Sequence, residues 1–367
     1  MPIIPKKTPP VETHWQKELA NSFTTLQSLL DYLHIDPHSL PNTLHINKTQ
    51  YLANQTDIPS HNAISIVEQH SHARTLFPMR VPKPFADLMQ AGNWHDPLLQ
   101  QVVPQQAEFI EKRGFVTDPL QEQGGPTPGL IHKYKSRILL IVRGGCAVNC
   151  RYCFRRHFPY QDNHLGQTQY QAAIDYVIKD TSINEVIFSG GDPLMANDQQ
   201  LAKLANQVDN IAHIKRLRIH TRLPVVIPSR VTDELIAWLK GLRVKPVIVL
   251  HINHKNEVSD ALMEKTKALT QAGVTLLNQS VLLKNINDNA DTICELSEAL
   301  FDANILPYYL HLLDPVKGAS HFDVSKPQAK NIMAEVIKRL PGFLVPKLVQ
   351  ELPEQPGKTP IDLGLEP

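Results

Sequence analysis

Residues 137–153 read RILLIVRGGCAVNCRYC, an apolar run followed closely by three cysteines. The run at 137–142 has the length and the branched apolar side chains of a buried strand. Cys146, Cys150 and Cys153 then fall together on the loop that leaves its carboxyl end. Barrels of parallel strands carry their chemistry on such loops. The stretch therefore predicts a metal or cluster site at the end of a buried parallel strand.

Strand-like and helix-like segments alternate after the turn-forming residues 124–129. The predicted strands are residues 137–142, 185–189, 216–220, 246–252, 274–278 and 306–310. Helical patterns such as 168–179, 200–208 and 260–271 lie between them. Parallel strands joined by helices predict an α/β fold, a partial (β/α)6 barrel whose site lies at the carboxyl ends of the strands.

The residues before this part predict a helical accessory region. Apolar side chains recur at helical spacing from Trp15 to Leu33, and five prolines between Pro78 and Pro104 favour short helices and loops. We therefore expect a mainly helical region at 1–105, a connecting segment at 106–134, the barrel at 135–330 and a C-terminal segment at 331–367.

Composition excludes several classes of protein. Hydrophobic residues make up 42% and charged residues 20%, as in an ordinary globular protein. The net charge of +1 gives no overall field for nucleic acid or an anionic membrane. The N-terminus lacks the apolar run of a signal peptide, the apolar stretches are too short to span a bilayer, and four cysteines do not suggest a disulfide framework. We expect a cytoplasmic protein that partners neither nucleic acid nor membrane.

The three clustered cysteines leave one position of a four-ligand site unfilled. A [4Fe–4S] cluster usually takes four thiolates, so three would leave one iron to bind something else. A structural zinc site completed by His157, or three buried thiols, would use the same residues. The cysteines alone leave these alternatives open.

Other polar residues are less informative by themselves. The sequence SGGDP at 189–193 ends a predicted strand, where glycines permit a tight turn and close approach of a ligand. His251, Asn278 and Gln279 lie at later strand ends, although such residues are often loop or cap residues. Lys358 lies in the sequence PGKTP near the C-terminus, where most lysines are solvent-exposed.

Together these motifs resemble the lysine 2,3-aminomutase family of radical S-adenosylmethionine (SAM) enzymes. The C-x3-C-x2-C motif, with Tyr152 before its last cysteine, resembles the cluster motif of the superfamily, and residues 190–192 resemble its GGE-type motif. Residues 357–360, GKTP, look like the segment whose lysine forms the aldehyde linkage with pyridoxal phosphate (PLP). Similar stretches, covering roughly residues 70–367, are 77–82, 96–99, 132–134, 146–156, 189–194, 222–228, 278–283 and 314–321.

The resemblance implies a [4Fe–4S] cluster, SAM and PLP. The residues implied are Cys146, Cys150 and Cys153 for the cluster; Gly190, Gly191 and Asp192 for SAM; Lys358 and Tyr134 for PLP; and His251 and Gln279 for SAM or PLP. In this chemistry a reduced cluster splits SAM to a 5′-deoxyadenosyl radical, which starts the migration of an amino group. The electrons would come from a donor such as flavodoxin or ferredoxin.

The resemblance also implies L-lysine as the substrate. Arg155 would pair bidentately with its carboxylate, and Asp314 and Glu351 would hold its ε-ammonium. Glu351 departs from the usual aspartate. The alternatives are an aminomutase for another amino acid such as glutamate, which would need a cation or an amide there, and a non-catalytic zinc-binding or translation-factor-binding protein.

One branch of the family makes (R)-β-lysine, which a separate ligase attaches to translation elongation factor P. The chain resembles that branch in Glu351, in Phe154 and His157, and in ending nine residues after Lys358. We therefore expect β-lysine as the product and the elongation factor P ligase as a functional partner.

Overall fold

A single mainly parallel sheet organises the protein. The computed structural model describes residues 14–40, 65–122, 125–160 and 167–364, so that Gly124 of the predicted turn lies outside it. The strands are β1 Leu130–Tyr134, β2 Arg137–Arg143, β3 Glu185–Gly190, β4 Arg216–Thr221, β5 Lys245–Leu250, β6 Thr275–Val281, β7 Leu306–His311, β8 Lys347–Gln350 and β9 Thr359–Pro360.

The strands follow one another in sequence order. Strands β2 to β8 pair in parallel, and β1 and β9 add antiparallel at the two edges. Among the described residues, no pairing joins the edge strands β9 and β1. The sheet is therefore a partial barrel that is open between these two strands. The predicted α/β fold is confirmed, with one parallel strand, β8, beyond the six predicted.

Helices cover the sheet and build the accessory region. They are α1 His14–Ala20, α2 Leu26–Tyr32, α3 Ile66–Ser71, α4 Lys83–Ala86, α5 Pro97–Gln100, α6 Gln167–Lys179, α7 Asp198–Asp209, α8 Leu223–Val226, α9 Asp233–Lys240, α10 Asp260–Gln271, α11 Ala290–Asp302 and α12 Lys326–Arg339. Short 3-10 helices lie at Pro37–Ser39, His72–Thr75, Gln106–Phe109, Pro193–Met195, Pro228–Arg230, Lys255–Glu257, Ser320–Phe322 and Gly342–Leu344.

Local sequence explains where the barrel helices begin. The residue before each of α7, α9, α10, α11 and α12 accepts a hydrogen bond from the backbone three residues later; these residues are Asn197, Thr232, Ser259, Asn289 and Ser325. Each such cap stabilises its helix by about 1 kcal/mol. The apolar strand residues between the helices, such as Phe188 and Ile219, are fully buried. The loops that follow parallel strands therefore gather at one edge of a rigid sheet.

The accessory region differs from the prediction at its first helix. The structure interrupts the predicted helix between α1 and α2, where Phe23 exchanges two backbone hydrogen bonds with Val81 of 2.8 and 2.9 Å. Thr25 then caps α2. A single helix from Trp15 to Leu33 was therefore wrong, because a long-range bridge competes with helical periodicity. The short helices and loops expected among the prolines are present in α3 to α5.

The described helices include none that is both long enough and apolar enough to cross a membrane. The division of the chain at residues 105, 134 and 330 stays a prediction.

Candidate active site

The cysteine loop follows β2 and is held by a buried arginine from the loop after β4. Arg222 donates from Nη1 to Cys150 Sγ and to the Tyr152 hydroxyl, both at 2.8 Å. Its Nη2 donates to Gln101 and Glu257 at 2.7 and 2.8 Å. Arg222 therefore places a positive charge beside one of the three sulfurs and ties the cysteine loop to the loop after β4. The motif analysis did not identify Arg222 as a site residue.

The three thiols affect one another's ionisation. Burial raises the pKa of Cys153 to about 11, and the negative charge of Cys150 adds to the effect. Burial also raises the pKa of Cys146, with a further contribution from Cys153. Several thiolates in such a place need cationic charge nearby, which bound metal supplies.

The arrangement of donors fits a cluster better than a zinc ion. Within the ranges the structure describes, no three His, Cys, Asp or Glu side chains are grouped as ligands of one metal ion. Zinc requires all its ligands around one centre, whereas each thiolate of a [4Fe–4S] cluster binds a different iron. His157, the fourth ligand of the zinc alternative, has its Nε2 3.0 Å from the carbonyl oxygen of Lys317.

A second buried charge network ties the cysteine loop to the predicted connecting segment. Glu108 accepts from Arg151 Nε at 2.8 Å and from Arg156 Nη2 at 2.6 Å. All three side chains are 0% exposed. Arg151 lies between Cys150 and Cys153, so its bond to Glu108 anchors the cysteine loop. Sequence reasoning missed Glu108, which no motif marks.

The glycine pair packs against the beginning of the cysteine loop. Gly190 has φ +129°, and a Cβ on Gly191 would lie 2.6 Å from the carbonyl oxygen of Gly145. Only glycine allows the two backbones this approach. The carbonyl oxygen of Gly191 accepts no hydrogen bond from a described residue, which leaves it open to a donor such as the amino group of SAM.

The Asp192 side chain is engaged inside the protein. Its carboxylate accepts from the Thr221 hydroxyl at 2.8 Å and from the backbone amides of Arg222, Leu223 and Leu194 at 2.8, 3.0 and 3.0 Å. It therefore joins the loop after β3 to the loop after β4. The predicted contact of residues 190–192 with SAM stays a prediction, and for Asp192 it concerns the backbone.

The structure brings Lys358, Glu351 and Tyr134 together. Antiparallel pairing of β9 with β8 places Lys358 Nζ 2.9 Å from Glu351 Oε2. Glu351 Oε1 accepts from the Tyr134 hydroxyl at 2.9 Å and from Lys133 Nζ at 3.1 Å. Burial would raise the pKa of Glu351, but the charges of Lys358 and Lys133 hold it well below its usual range. Glu351 is thus an ionised partner of Lys358.

Aromatic and cationic groups surround the Lys358 amine. Its Nζ lies 5.8 Å from the ring centroid of Tyr309. Arg137 lies 4.2 Å from the ring centroid of Tyr134, and no ion pair joins it to a carboxylate among the described residues. Burial is the largest cause of the raised pKa of Tyr134, and the charge of Glu351 adds to it. Flat aromatic rings beside the unpaired guanidinium of Arg137 fit an anionic aromatic group such as PLP.

The Lys358 charge acts on three buried histidines: His220 in β4, His251 directly after β5, and His311 in β7. Burial lowers the pKa of His251 to about 3, and the charges of Arg222 and Lys358 add to the effect. Burial and the Lys358 charge likewise lower the pKa values of His220 and His311. All three imidazoles are therefore neutral. His220 and His311 were not predicted, since an isolated histidine in a strand carries no motif.

Several buried polar atoms around the amine lack a protein partner. Gln279 Nε2 lies 3.3 Å from His251 Nε2, but Gln279 Oε1 has no hydrogen-bond partner in the described part of the chain. The same holds for Nε2 of His220 and of His311. Buried polar atoms are rarely left unpaired without a ligand, so the interior is suited to a polar ligand. The side chain of Asn278, by contrast, is paired with the backbone of Ile252. Its Oδ1 accepts from the Ile252 amide, and its Nδ2 donates to the Ile252 carbonyl oxygen.

The two remaining predicted substrate residues differ in their surroundings. Asp314, after β7, has no hydrogen-bond or ion-pair partner for its carboxylate among the described residues, and burial and the charge of Glu351 raise its pKa to about 7. Arg155 is largely engaged: its Nε and Nη2 donate to Glu122 at 2.6 and 3.1 Å. Its Nη1 donates to Ser189 Oγ at 3.0 Å. Glu122 was not predicted, because it lies in the connecting segment outside every motif.

Comparison with known proteins agrees with this geometry. A family model described as a 4Fe-4S single cluster domain matches residues 135–221, which include the cysteine loop. The chain is 54% identical to the L-lysine 2,3-aminomutase of Escherichia coli (strain K12) over 80% of this chain and 86% of that protein. The enzyme of the same name from Haemophilus influenzae is 52% identical, over 80% and 87%.

A third relative matches over nearly the whole length. The L-lysine 2,3-aminomutase of Buchnera aphidicola subsp. Baizongia pistaciae is 45% identical over 96% of both chains. Identities of this size over most of each chain, together with the cluster-domain match, confirm the resemblance drawn from the motifs. The chain belongs to the lysine 2,3-aminomutase family of radical SAM isomerases, whose [4Fe–4S] cluster and SAM it shares.

Proposed function

We propose that this protein converts L-lysine to (R)-β-lysine with a [4Fe–4S] cluster, SAM and PLP held by Lys358. One observation carries the proposal: an unbroken chain of charged contacts runs from the cysteine loop to Lys358. Arg155, two residues after Cys153, pairs with Glu122. Lys133 lies 3.4 Å from Glu122 and 3.1 Å from Glu351, which pairs with Lys358. This chain of contacts supports a single site formed by the cysteine loop and Lys358.

The residues around Lys358 support a role in holding PLP. The cofactor would stabilise an unpaired electron by delocalisation, while the cluster and SAM would supply the radical. Glu351, whose carboxylate accepts from Lys358 Nζ at 2.9 Å, would position the Lys358 amine for the aldehyde of the cofactor. Arg137 and Lys133 are cations suited to a phosphate, and Tyr134 and Tyr309 offer rings to pack against the pyridine.

The acids support lysine over glutamate. Burial raises the pKa of Asp314 to about 7, and the negative charge of Glu351 adds to the effect. Two carboxylates stabilise an incoming ε-ammonium and repel the side-chain carboxylate of glutamate. No group of described residues suits a lone zinc ion, so the zinc-binding alternative has no observation in its favour.

The test begins with anaerobically purified protein. We expect iron and sulfide by chemical assay and broad absorption at about 400 nm from the cluster. We also expect an additional PLP band that borohydride removes. Lys358→Ala should lose that band, whereas Lys347→Ala, an exposed lysine on the neighbouring strand, should keep it. Zinc without iron or sulfide, or a band that survives Lys358→Ala, would refute the proposal.

Turnover then decides the substrate and the product. With SAM and a reductant, L-lysine should yield (R)-β-lysine on chiral chromatography, and glutamate should yield no β-amino acid. A β-amino product from glutamate but none from lysine would replace lysine in the proposal.

The physiological part of the proposal rests on the resemblance of Glu351, Phe154 and His157 to one branch of the family. We propose that the β-lysine serves modification of elongation factor P in the cytoplasm, with electrons from a flavodoxin or ferredoxin. The unpaired state of all four cysteines accords with a reducing compartment. Mass spectrometry tests it: the factor, incubated with its ligase and lysine, should gain a β-lysyl group only when this enzyme and SAM are present.

A further inference from the structure

Arg155 has little hydrogen-bonding capacity left for a substrate. Glu122 takes its Nε and Nη2 in a bidentate pair, and Ser189 Oγ and the Gly190 carbonyl oxygen take its Nη1 at 3.0 and 3.3 Å. Of the five N–H groups of a guanidinium, four are therefore engaged. The side chains of Arg155 and Glu122 are only 8% and 5% exposed, so water does not weaken their attraction much.

A substrate carboxylate that binds Arg155 side-on, through Nε and Nη2, needs the edge that Glu122 occupies. A guanidinium binds a carboxylate bidentately through two parallel N–H groups. Here the Nε–Nη2 edge already binds the Glu122 carboxylate. The α-carboxylate of an amino acid and the side chain of Glu122 are the same chemical group. Side-on binding at Arg155 therefore requires an exchange of one carboxylate for another.

The structure provides for the Glu122 charge after such an exchange. Lys133 Nζ lies 3.4 Å from Glu122 Oε1, so the carboxylate keeps a cationic neighbour if it leaves Arg155. A buried carboxylate without a partner would be strongly unfavourable. The backbone amide of Glu122 donates to Asp118 Oδ1 at 3.1 Å, which holds the main chain while the side chain changes partner.

We propose that Glu122 is a specificity-determining residue: it neutralises Arg155 in the empty site and competes with the substrate α-carboxylate for its Nε–Nη2 edge. The inference rests on the proposed function, since it takes lysine as the ligand. Simple anions gain little at Arg155 while Glu122 holds it. A ligand that also offers an ammonium group to Glu351 and Asp314 gains enough to displace Glu122. The pair thereby selects ligands that carry both charges.

The test measures binding without turnover. The cluster-reconstituted, PLP-loaded protein is titrated anaerobically in a calorimeter, without reductant, with L-lysine and with 1,5-diaminopentane, which is lysine without its carboxylate. We expect Glu122→Gln to bind lysine about tenfold more tightly or better, because a buried charged competitor is removed. Its affinity for 1,5-diaminopentane should not change.

Two further variants keep the test decisive. Glu122→Asp keeps the charge but shortens the side chain, so it should strengthen lysine binding less, and it carries the test if Glu122→Gln does not fold. Glu185→Gln, which removes a glutamate paired with Arg216 and Arg218 at the opposite ends of the strands, should leave lysine binding unchanged.

The outcomes separate this inference from the proposed function. If Glu122→Gln or Glu122→Asp binds lysine no better than the wild type, or more weakly, Glu122 is not a competitor and the inference is overturned. The inference also fails if both ligands gain equally, since the effect would not depend on the carboxylate. A wild-type protein that binds neither ligand would instead overturn the proposed function.

Discussion

Glu108→Gln should destabilise the protein more than any surface charge change. The substitution preserves shape and removes the one carboxylate shared by Arg151 and Arg156, whose side chains are fully buried. Breaking a buried ion pair from one side costs about 3–5 kcal/mol. Both guanidiniums keep backbone acceptors: Arg151 bonds the carbonyl oxygens of Phe77 at 2.8 Å and Pro78 at 3.1 Å, and Arg156 that of Gly318 at 2.9 Å. We therefore count the loss of one buried ion pair, about 4 kcal/mol of stability, and not of two.

The loss translates into a measurable shift in melting temperature. An unfolding entropy of about 2.1 cal/mol/K per residue gives about 0.8 kcal/mol/K for 367 residues. A loss of about 4 kcal/mol then lowers Tm by about 5 °C. Because Glu108 also anchors the loop between Cys150 and Cys153, the iron content per chain should fall after reconstitution.

Calorimetry under anaerobic conditions measures the shift, with iron assayed on the same samples. The matched control is Glu335→Gln, which removes the carboxylate of an exposed pair with Lys338 and should leave Tm and iron content unchanged. If Glu108→Gln has the same Tm as the control variant, the buried network does not hold the cysteine loop as we infer.

Substitutions at three other positions test the site. Gly191→Ala should weaken SAM binding by equilibrium dialysis, because its Cβ would lie 2.6 Å from the Gly145 carbonyl oxygen and push the two loops apart; unchanged binding would show that the loops can yield. The KM for lysine should fall as pH rises through about 7, where the carboxyl of Asp314 loses its proton, and Asp314→Asn should lack this step; a step that persists belongs to another group. Glu351→Ala should raise the KM for lysine strongly and Glu351→Asp moderately, since only the second keeps a charge; the lysine assignment fails if neither changes it.

The sheet could be predicted from the sequence because its strands have a local signature. Strands β2, β3 and β5 contain apolar runs, and β4 and β6 alternate buried with less buried residues; both patterns are typical of strands. Strand β8, Lys347–Gln350, has only four residues, and β9 has two. Elements that short have too few residues to show a period. The interruption at Phe23 could not be predicted either, because its partner, Val81, lies 58 residues away.

The site was predictable only where a motif marks it. Cys146, Cys150, Cys153 and Lys358 stand in short signatures with fixed spacing. Glu108, Glu122 and Lys133 do not, and charged residues are usually solvent-exposed, so nothing local distinguishes them from surface residues. What places them in the interior is a partner distant in sequence, as for Lys133 and Glu351, which are 218 residues apart.

The structure offers a reason for glutamate at position 351, where the resemblance to the family leads us to expect aspartate. Its carboxylate bonds Lys133 and Tyr134 through one oxygen and Lys358 through the other. The longer side chain helps one carboxylate to reach groups on β1 and beside β9 together. Lys358, if it holds PLP as proposed, would no longer offer Glu351 a free ammonium group, while burial still penalises an unbalanced carboxylate. The ε-ammonium of lysine can replace that cation. The pair seen between Glu351 and Lys358 and the pair proposed between Glu351 and substrate are therefore successive uses of one carboxylate.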